Sequence, residues 1–441
     1  MVKACLICPS QDGKRRFFGV FSKKHERCSD LAVVVVAPSR AFLVVWEKYV
    51  RIIEMKIEKI VPGGQGLGTL PDGKRVFLWN CLPGEEVTDF LVTKKKAKYL
   101  EGVATKIEDP AENRVEPRDL CFLSTSPWQI FDYQFELRQK AEIVREVFRQ
   151  NGIFIEAPEV VTDGREWNYR NKMEYALFWD KETEKIKLAF HERGSHRKVP
   201  IEKSSIERPE IYEAAEKIVF ELNERHEEAR KYQSLLLRTS QDGTVSGGLY
   251  ENRKAHPLFP VLQDEILGIS YNYSPNGFFQ INLPVYELAL EEIRREIQDG
   301  QKVLDLYSGV GTIGLSVARG GELTLVECNK EAFSELEKNA QLVEGAKAVL
   351  AKSEEALEYI EPEMTVILDP PRAGCERKLL EKLLEVGPKK IVYLSCNPAT
   401  QARDVAILNE KYIMGRIKSF NFFPKTPHIE NLVVLEKSPE E

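Results

Sequence analysis

Cysteine is scarce in this chain, with eight among 441 residues and no dense or regular spacing. That excludes a disulfide-stapled miniprotein and points to a reducing compartment. Long apolar runs are missing too. The most hydrophobic stretch, residues 31–46, is broken by Pro38 and Arg40 and is too short to span a bilayer. No basic segment followed by an apolar block opens the chain, so the expectation is a cytoplasmic protein that uses no membrane. An excess of positive charge is absent as well: the net charge is −6 and the pI about 5.8. Any binding to nucleic acid must therefore run through a local basic patch. Internal repeats are not seen. What remains, 43% hydrophobic and 30% charged residues, describes an ordinary soluble protein with ample core, neither disordered nor collagen-like. The length suggests about three domains.

The first 54 residues read differently from the rest. They hold ten Lys or Arg against five Asp or Glu and show no helical or strand period up to Ser29. A regular pattern begins at Met55. Residues 1–54 are accordingly read as an atypical basic extension, loosely ordered or not native. From residue 55 to 107, β-rich runs at 56–61, 75–79, 87–93 and 99–107 alternate with turns at Gly63-Gly64, Pro71-Asp72-Gly73 and Pro83-Gly84. Strands at that spacing predict a small antiparallel barrel. Lys94, Lys95, Lys96 and Lys98 crowd one strand end, where they suit phosphates or form a solvated turn. A helix is predicted over 135–150, with Asn151-Gly152 as its stop. The region to about Asn272 mixes strands at 234–240 and 244–250 with a second helix near 209–228. After Pro275, strand and helix alternate with Gly-rich turns, which predicts an α/β, doubly wound parallel sheet.

The sharpest motif runs from Val303 to Gly314, an apolar strand leading into a glycine turn and a helix. Gly309 and Gly311 allow close approach of a ligand, and the helix start adds partial positive charge. Glu327, at the end of the next strand, can accept hydrogen bonds from both ribose hydroxyls of a nucleoside cofactor. Nicotinamide and S-adenosylmethionine both satisfy this pattern. Another apolar strand ends in Asp369-Pro370-Pro371-Arg372, whose prolines fix a loop at the carboxyl edge of the sheet. A methyltransferase has use for such a loop, and a hydride-transfer enzyme has no obvious need of it. A third strand runs into Ser395-Cys396-Asn397-Pro398. Cysteine there is either a small buried hydrophobe or a thiolate nucleophile. Finally, Pro427-His428-Ile429-Glu430-Asn431 places a His and a Glu just before a last strand at 432–435, where a positioned acid or base is plausible.

These motifs, in this order, resemble the RNA uracil-5-methyltransferase family. The match runs from about Met55 to Lys437 and includes Phe278-Phe279-Gln280-Ile281-Asn282, the glycine turn, DPPRAG at 369–374, SCNPAT at 395–400, Ala402-Arg403-Asp404 and PHIEN at 427–431. The resemblance implies that residues 55–107 are a TRAM domain, an OB-like barrel that binds RNA. It implies a central α+β RNA-binding domain over 118–275 and a Rossmann-like, S-adenosylmethionine-dependent methyltransferase domain over 276–441. Cys396 matches the family's nucleophile and Glu430 its proton acceptor. Gln280, Tyr307, Glu327 and Asp369 match the donor-binding positions, beside Gly309 and Gly311 of the turn.

Uracil C5 is too weak a nucleophile to take a methyl group directly, so one thiolate and one base are the minimum set. Cys375 is a competitor, since cytosine-5 enzymes acting on RNA place a cysteine close after the corresponding strand; its offset in the AGCE stretch ranks it a spectator. Arg170 and Lys172, with Arg193, His196, Arg197 and Lys198, mix cations with rings and hydroxyls as RNA contacts do, although an exposed hairpin reads the same way. Many family members carry four cysteines for an iron–sulfur cluster after the barrel. Here the equivalent stretch, 117–124, keeps Cys121 alone, so no cluster and no metal are expected. The expected partner is structured RNA, either tRNA or 23S rRNA, and no obligate protein partner is evident. A nicotinamide oxidoreductase and a non-catalytic RNA-binding protein stand as the other readings.

Overall fold

The computed structural model describes residues 55–251, 254–255 and 260–439. Of the first 54 residues it describes four strand segments of two or three residues, Cys5–Leu6, Phe18–Gly19, Val33–Val35 and Leu43–Val45. The reading of 1–54 as a loose or non-native extension lies outside the described residues. The chain divides into two compact units, the second being Ile60–Gly64 with Glu112–Glu441.

The first unit is built on β1 (Met55–Ile60), β2 (Gly66–Thr69), β3 (Arg75–Trp79), β4 (Glu86–Lys95) and β5 (Tyr99–Asp109). They close into a barrel in the order β1-β2-β3-β5-β4. The barrel is not wholly antiparallel, as expected from the hairpin spacing, because β3 and β5 run parallel with Arg75 opposite Tyr99. Closure requires it: β4 intervenes in sequence between them and pairs with β5 on its other side. Alternate residues point inward, and Met55, Ile57, Val76, Leu78, Val87, Phe90 and Leu100 fill the interior.

In the second unit α1 (Tyr133–Gln150) starts where Asp132 accepts hydrogen bonds from the Gln134 and Phe135 N–H groups. Its buried face carries Ala141, Val144, Val147 and Phe148, with two ionisable groups, Glu136 and Lys140. A short strand, β6 (Val160–Val161), follows. Strands β7 (Lys172–Asp180), β8 (Lys185–His191) and β9 (Lys198–Pro200), helix α2 (Pro209–Glu224), and strands β10 (Ser234–Thr239), β11 (Val245–Glu251) and β12 (Lys254–Ala255) make a six-stranded antiparallel sheet in the order β9-β8-β7-β10-β11-β12. Helix α2 covers it, burying Ile211, Ala215 and Leu222 against Tyr175, Leu188 and Leu235.

A hairpin, β13 (Leu262–Ile266) and β14 (Ile269–Tyr273), leads into α3 (Leu283–Arg295). Then come β15 (Val303–Leu306), α4 (Thr312–Val317), β16 (Leu323–Glu327), α5 (Lys330–Ala340), β17 (Ala346–Leu350), β18 (Thr365–Leu368), α6 (Arg377–Val386), β19 (Lys390–Ser395), α7 (Pro398–Leu408), β20 (Tyr412–Phe420) and β21 (Glu430–Lys437). The strands form one eight-stranded sheet, β6-β20-β21-β19-β18-β15-β16-β17. From β17 through β19 all neighbours are parallel. The expectation of a parallel sheet fails at β21, which is antiparallel to both β19 and β20. A parallel neighbour needs a crossover element, and residues 421–429 contain no helix to supply one. The hairpin β13–β14 buries Leu262, Ile266, Tyr271 and Tyr273 in the same core as α3 and the sheet. Among the described residues no helix is long and apolar enough to cross a membrane.

Because the Asp132 side chain caps the first turn of α1, Asp132→Ala should lower unfolding stability by about 1 kcal/mol. Urea titration followed by circular dichroism checks this, and an unchanged midpoint would mean that the first turn is held by packing alone.

Candidate active site

In the sheet order, β15 stands between β16 and β18, and the chain leaves it in opposite directions on either side. Such a switch point opens a crevice at the carboxyl ends of the strands. The turn after β15 lines it with Tyr307 and Gly309, both with positive φ (64° and 59°). Gly309 donates its N–H to Glu327 Oε2 at 2.9 Å, and Glu327 Oε1 accepts from Asn329 N at 2.6 Å. A Cβ at Gly314 would stand 2.7 Å from Asp305 Oδ2, which accepts the Gly314 N–H at 2.9 Å. A side chain there would push β15 and α4 apart. Gly309 faces open space.

The same edge gathers carboxylates. Burial pushes Asp305 up to about 8, opposed by the Gly314 N–H and reinforced by Asp369 and Glu327, and its Oδ1 has no partner. Asp369, one residue past β18, is pushed by burial up to about 7.

Cys396 follows the last residue of β19. Because β21 is antiparallel, its first residue lies at this same edge. Leu394 pairs with Leu432 and Ser395 with Asn431, so the next positions outward are Cys396 and Glu430. Glu430 is therefore the opening residue of the strand rather than a residue before it, as the sequence suggested. A buried network fixes that register. Gln401 Nε2 donates to Tyr393 O (2.8 Å) and Asn431 O (2.9 Å), Asn431 Nδ2 donates to Gln401 Oε1 (2.6 Å), and Ser419 Oγ donates to Asn431 Oδ1 (2.8 Å).

Electrostatically the pair is tense. Burial raises the Cys396 thiol to about 11, the charges of Glu430 and Asp369 act in the same direction, and Arg372, whose guanidinium bonds the sulfur, opposes them. Burial likewise holds Glu430 well above the ordinary carboxylate range, with Asp369 adding to the shift and Arg372 opposing it. Arg372 also donates to His428 Nδ1 at 3.0 Å. That contact requires a neutral imidazole, consistent with burial and the Arg372 charge pulling His428 down to about 4. The Arg372 carbonyl accepts from Asn397 Nδ2 (2.8 Å) and Thr400 Oγ1 (3.2 Å), tying the DPPR loop to the start of α7.

The model of the tRNA (uracil-5-)-methyltransferase family matches residues 355–438, a span that contains Asp369, Cys396 and Glu430. Uncharacterized RNA methyltransferases of Enterococcus faecalis and Fusobacterium nucleatum are 29% and 28% identical, each over 88% of this chain and over 97% and 96% of their own lengths. The chain is thus similar to the RNA uracil-5-methyltransferase family over its last strands and helices, and to RNA methyltransferases over most of its length. Its fold is like that of the Pyrococcus abyssi tRNA (uracil-54, C5)-methyltransferase solved with S-adenosyl-L-homocysteine, with a TM-score of 0.67 at 24% identity over 87% of this chain and 100% of that one.

The other anticipated residues of this methyltransferase stand in differing surroundings. Gln280 is buried, and its carbonyl accepts from Asn171 Nδ2 (3.1 Å) and from the buried Arg238 (3.2 Å), so the FFQIN segment is fastened to β7 and β10. Arg170, Lys172, Arg193 and Lys198 donate to backbone carbonyls: Arg170 to Lys172 O at 2.9 Å, Lys172 Nζ to Asn276 and Gly277, Arg193 to Leu123 O, and Lys198 Nζ to Leu177 O. Burial lowers the Lys172 ammonium to about 8. His196 and Arg197 are exposed, and Arg197 is held by Glu192. In the barrel, Lys94 pairs with Glu101 at 2.7 Å, while Lys95 and Lys96 extend into solvent. Cys375 is buried, its N–H donating to Asp404 Oδ2 at 2.8 Å, and burial raises its thiol. Among the described residues no group of three His, Cys, Asp or Glu could hold a metal ion.

Sequence reasoning passed over Arg372, Gln401 and Asn431, although all three stand inside or next to quoted motifs. Their roles are contacts with partners distant in sequence, which the motif alone does not display.

The methyltransferase should therefore carry a thiol at Cys396 that is largely protonated at neutral pH. Iodoacetamide labelling of Cys396, followed by peptide mass spectrometry, should accelerate as pH rises from 7 through 9 and onward, towards the value of about 11. In Arg372→Ala the curve should move to still higher pH. A flat profile would remove the electrostatic account given above.

Proposed function

We propose that this methyltransferase uses S-adenosylmethionine to methylate C5 of a specific uridine in structured RNA, either tRNA or 23S rRNA. The observation that carries the reading is the meeting of Cys396 and Glu430 across the β19–β21 pair, at the edge that also holds Asp369, Glu327 and the glycine turn. S-adenosylmethionine, when bound, supplies the methyl group as a sulfonium. The residues present fit it. Gly309 leaves open space, and each Glu327 oxygen retains a second lone pair beyond the N–H it accepts, enough for a ribose diol. The acidic edge suits a cationic donor.

Cys396, partly exposed, gives its proton to solvent, and its sulfur adds to uracil C6, forming the C6–S bond as the C5–C6 π pair moves onto C5. C5, made nucleophilic by that addition, would take the methyl group, with a neutral thioether as the leaving group. C5 still carries its hydrogen. Glu430, whose carboxylate burial makes more basic, accepts that proton; the C5–H electrons restore the ring double bond and expel the thiolate. Arg372 stabilises the thiolate in both its attacking and leaving roles. The neutral His428 accepts from Arg372 and so holds that guanidinium without competing for its charge.

The barrel of the first unit is read as an RNA-binding TRAM domain, with Lys94, Lys95 and Lys96 at phosphates, and the exposed His196 and Arg197 as further contacts. Arg170, Lys172, Arg193 and Lys198, engaged with backbone carbonyls, would shape the surface that holds an opened loop, from which the target uridine must be turned out of its stack.

The test combines labelled S-adenosylmethionine with total RNA from cells lacking 5-methyluridine. Labelled 5-methyluridine in the tRNA or the rRNA fraction is the expected product, and label on cytidine would transfer attention to Cys375. Cys396→Ala should abolish turnover; full activity in that variant would remove the mechanism. Glu430→Gln should accumulate a methylated RNA–protein adduct, whereas release of product at the wild-type rate would mean that another base serves.

A further inference from the structure

Residues 421–429 connect β20 to Glu430; the Asn421 N–H still donates to Val161 O of β6 at 2.9 Å, and the rest lie beyond the sheet ladder. Asn282 Nδ2 donates to Phe422 O at 3.1 Å, and most of the remaining contacts come from α1 and its flanks. Lys425 stands in the left-handed region at φ 61°, a conformation that L residues rarely adopt. Both of its flanking peptides are pinned. The Lys425 N–H donates to both oxygens of the Glu136 carboxylate, at 3.1 and 3.0 Å, and the Lys425 carbonyl accepts from Trp128 N at 3.0 Å. Pro424 O accepts from Tyr169 OH at 2.9 Å. One turn along α1, Lys140 Nζ donates to Asn421 Oδ1 (2.6 Å) and Phe423 O (3.1 Å) and pairs with Glu136 (3.0 Å). The Lys425 ammonium folds back to Phe131 O (3.0 Å) and Glu166 (2.7 Å). Glu136, Lys140 and Lys425 are all at most 1% exposed. Two cations and two carboxylates thus balance in a closed cluster, against the loop that delivers Glu430.

We propose that Glu136 is a positioning residue for Glu430, setting the aim of the proton acceptor by holding the Lys425 peptide in its left-handed conformation. The inference rests on the reading of Glu430 as the proton acceptor. Simple packing would predict only lost stability. Positioning predicts a specific kinetic defect, because Glu430 is needed after methyl transfer and not before it. Misaiming it should leave methyl uptake intact and delay C5 deprotonation and release of the thiolate.

Single-turnover reactions of the full chain, with labelled S-adenosylmethionine and total RNA from cells lacking 5-methyluridine, separate the two steps. Label in an SDS-resistant protein–RNA adduct reports the first, and free labelled RNA reports the second. In Glu136→Gln the adduct should persist about tenfold longer than in the wild type, while initial label uptake stays within about twofold. Glu136→Asp, which restores the charge, should recover part of the release rate. Glu430→Gln runs alongside. Adduct in Glu430→Gln without adduct in Glu136→Gln overturns this inference alone, as does equal slowing of uptake and release. No adduct in Glu430→Gln removes the base assignment and this inference with it. Should Glu136→Gln not fold, Glu136→Asp, whose carboxylate stands one methylene farther from the Lys425 N–H, should show a shorter-lived adduct of the same kind; its absence counts against the proposal.

Discussion

The antiparallel register between β19 and β21 is the constraint on which the candidate active site depends. A one-residue slip would turn Cys396 and Glu430 to opposite faces, since side chains alternate along a strand. Three buried side chains prevent it. Gln401, Asn431 and Ser419 bond one another and the carbonyls of Tyr393 and Asn431, so any other register would strand several polar groups without partners. Unpaired polar groups in such a place cost more than the bonds are worth when made. Specificity of alignment, more than stability, is what this network supplies.

Charge at the crevice follows from the same crowding. Asp305, Asp369 and Glu430 are each raised by burial, and Asp369 raises both of the others. Arg372 is the cation that opposes the shifts of Cys396 and Glu430. Such an arrangement favours a positively charged ligand and keeps a carboxylate basic near neutrality. The guanidinium can serve the sulfur because its carbonyl is tied down by Asn397 and Thr400, which makes the DPPR loop and the start of α7 one piece. His428, neutral and accepting, completes the arrangement without adding charge.

Support reaches this edge from far away in sequence. Helix α1 places Glu136 and Lys140 in the core, where an apolar pair would pack with less desolvation. Their return is geometric, because the ions address backbone and amide groups of residues 421–425 that have no ladder partners. A buried ion pair of this kind is weak evidence for stability and good evidence for a unique loop conformation. Arg238 does similar service for FFQIN, its guanidinium reaching the carbonyls of Gly277 and Gln280 beside the stacked rings of Tyr273 and Phe279.

Much of the methyltransferase was legible in the sequence. Apolar runs ending in DLYSG, DPPR and SCNP announce strands that stop at one edge, because glycine, proline and a helix cap each interrupt the ladder locally. Four of the five barrel strands and both long helices follow from alternation and from period, with one end of each helix from Asn151 and Pro209, whereas the strand Gly66–Thr69 and the start at Asp132 do not. Local chemistry determined these features, and local chemistry is what a sequence displays. It could not display the direction of β21. Residues 432–435 read as an apolar strand in either orientation, and only the lack of a crossover helix, realised in the packed sheet, turns it antiparallel and brings Glu430 to Cys396. Nor could it tell what anchors the cations: Arg170, Lys172 and Lys198, read as RNA contacts, also donate to backbone carbonyls. The sequence by itself determined which residue types stand at strand ends; tertiary structure decided which of them meet, because meeting depends on pairings between segments separated by tens to hundreds of residues.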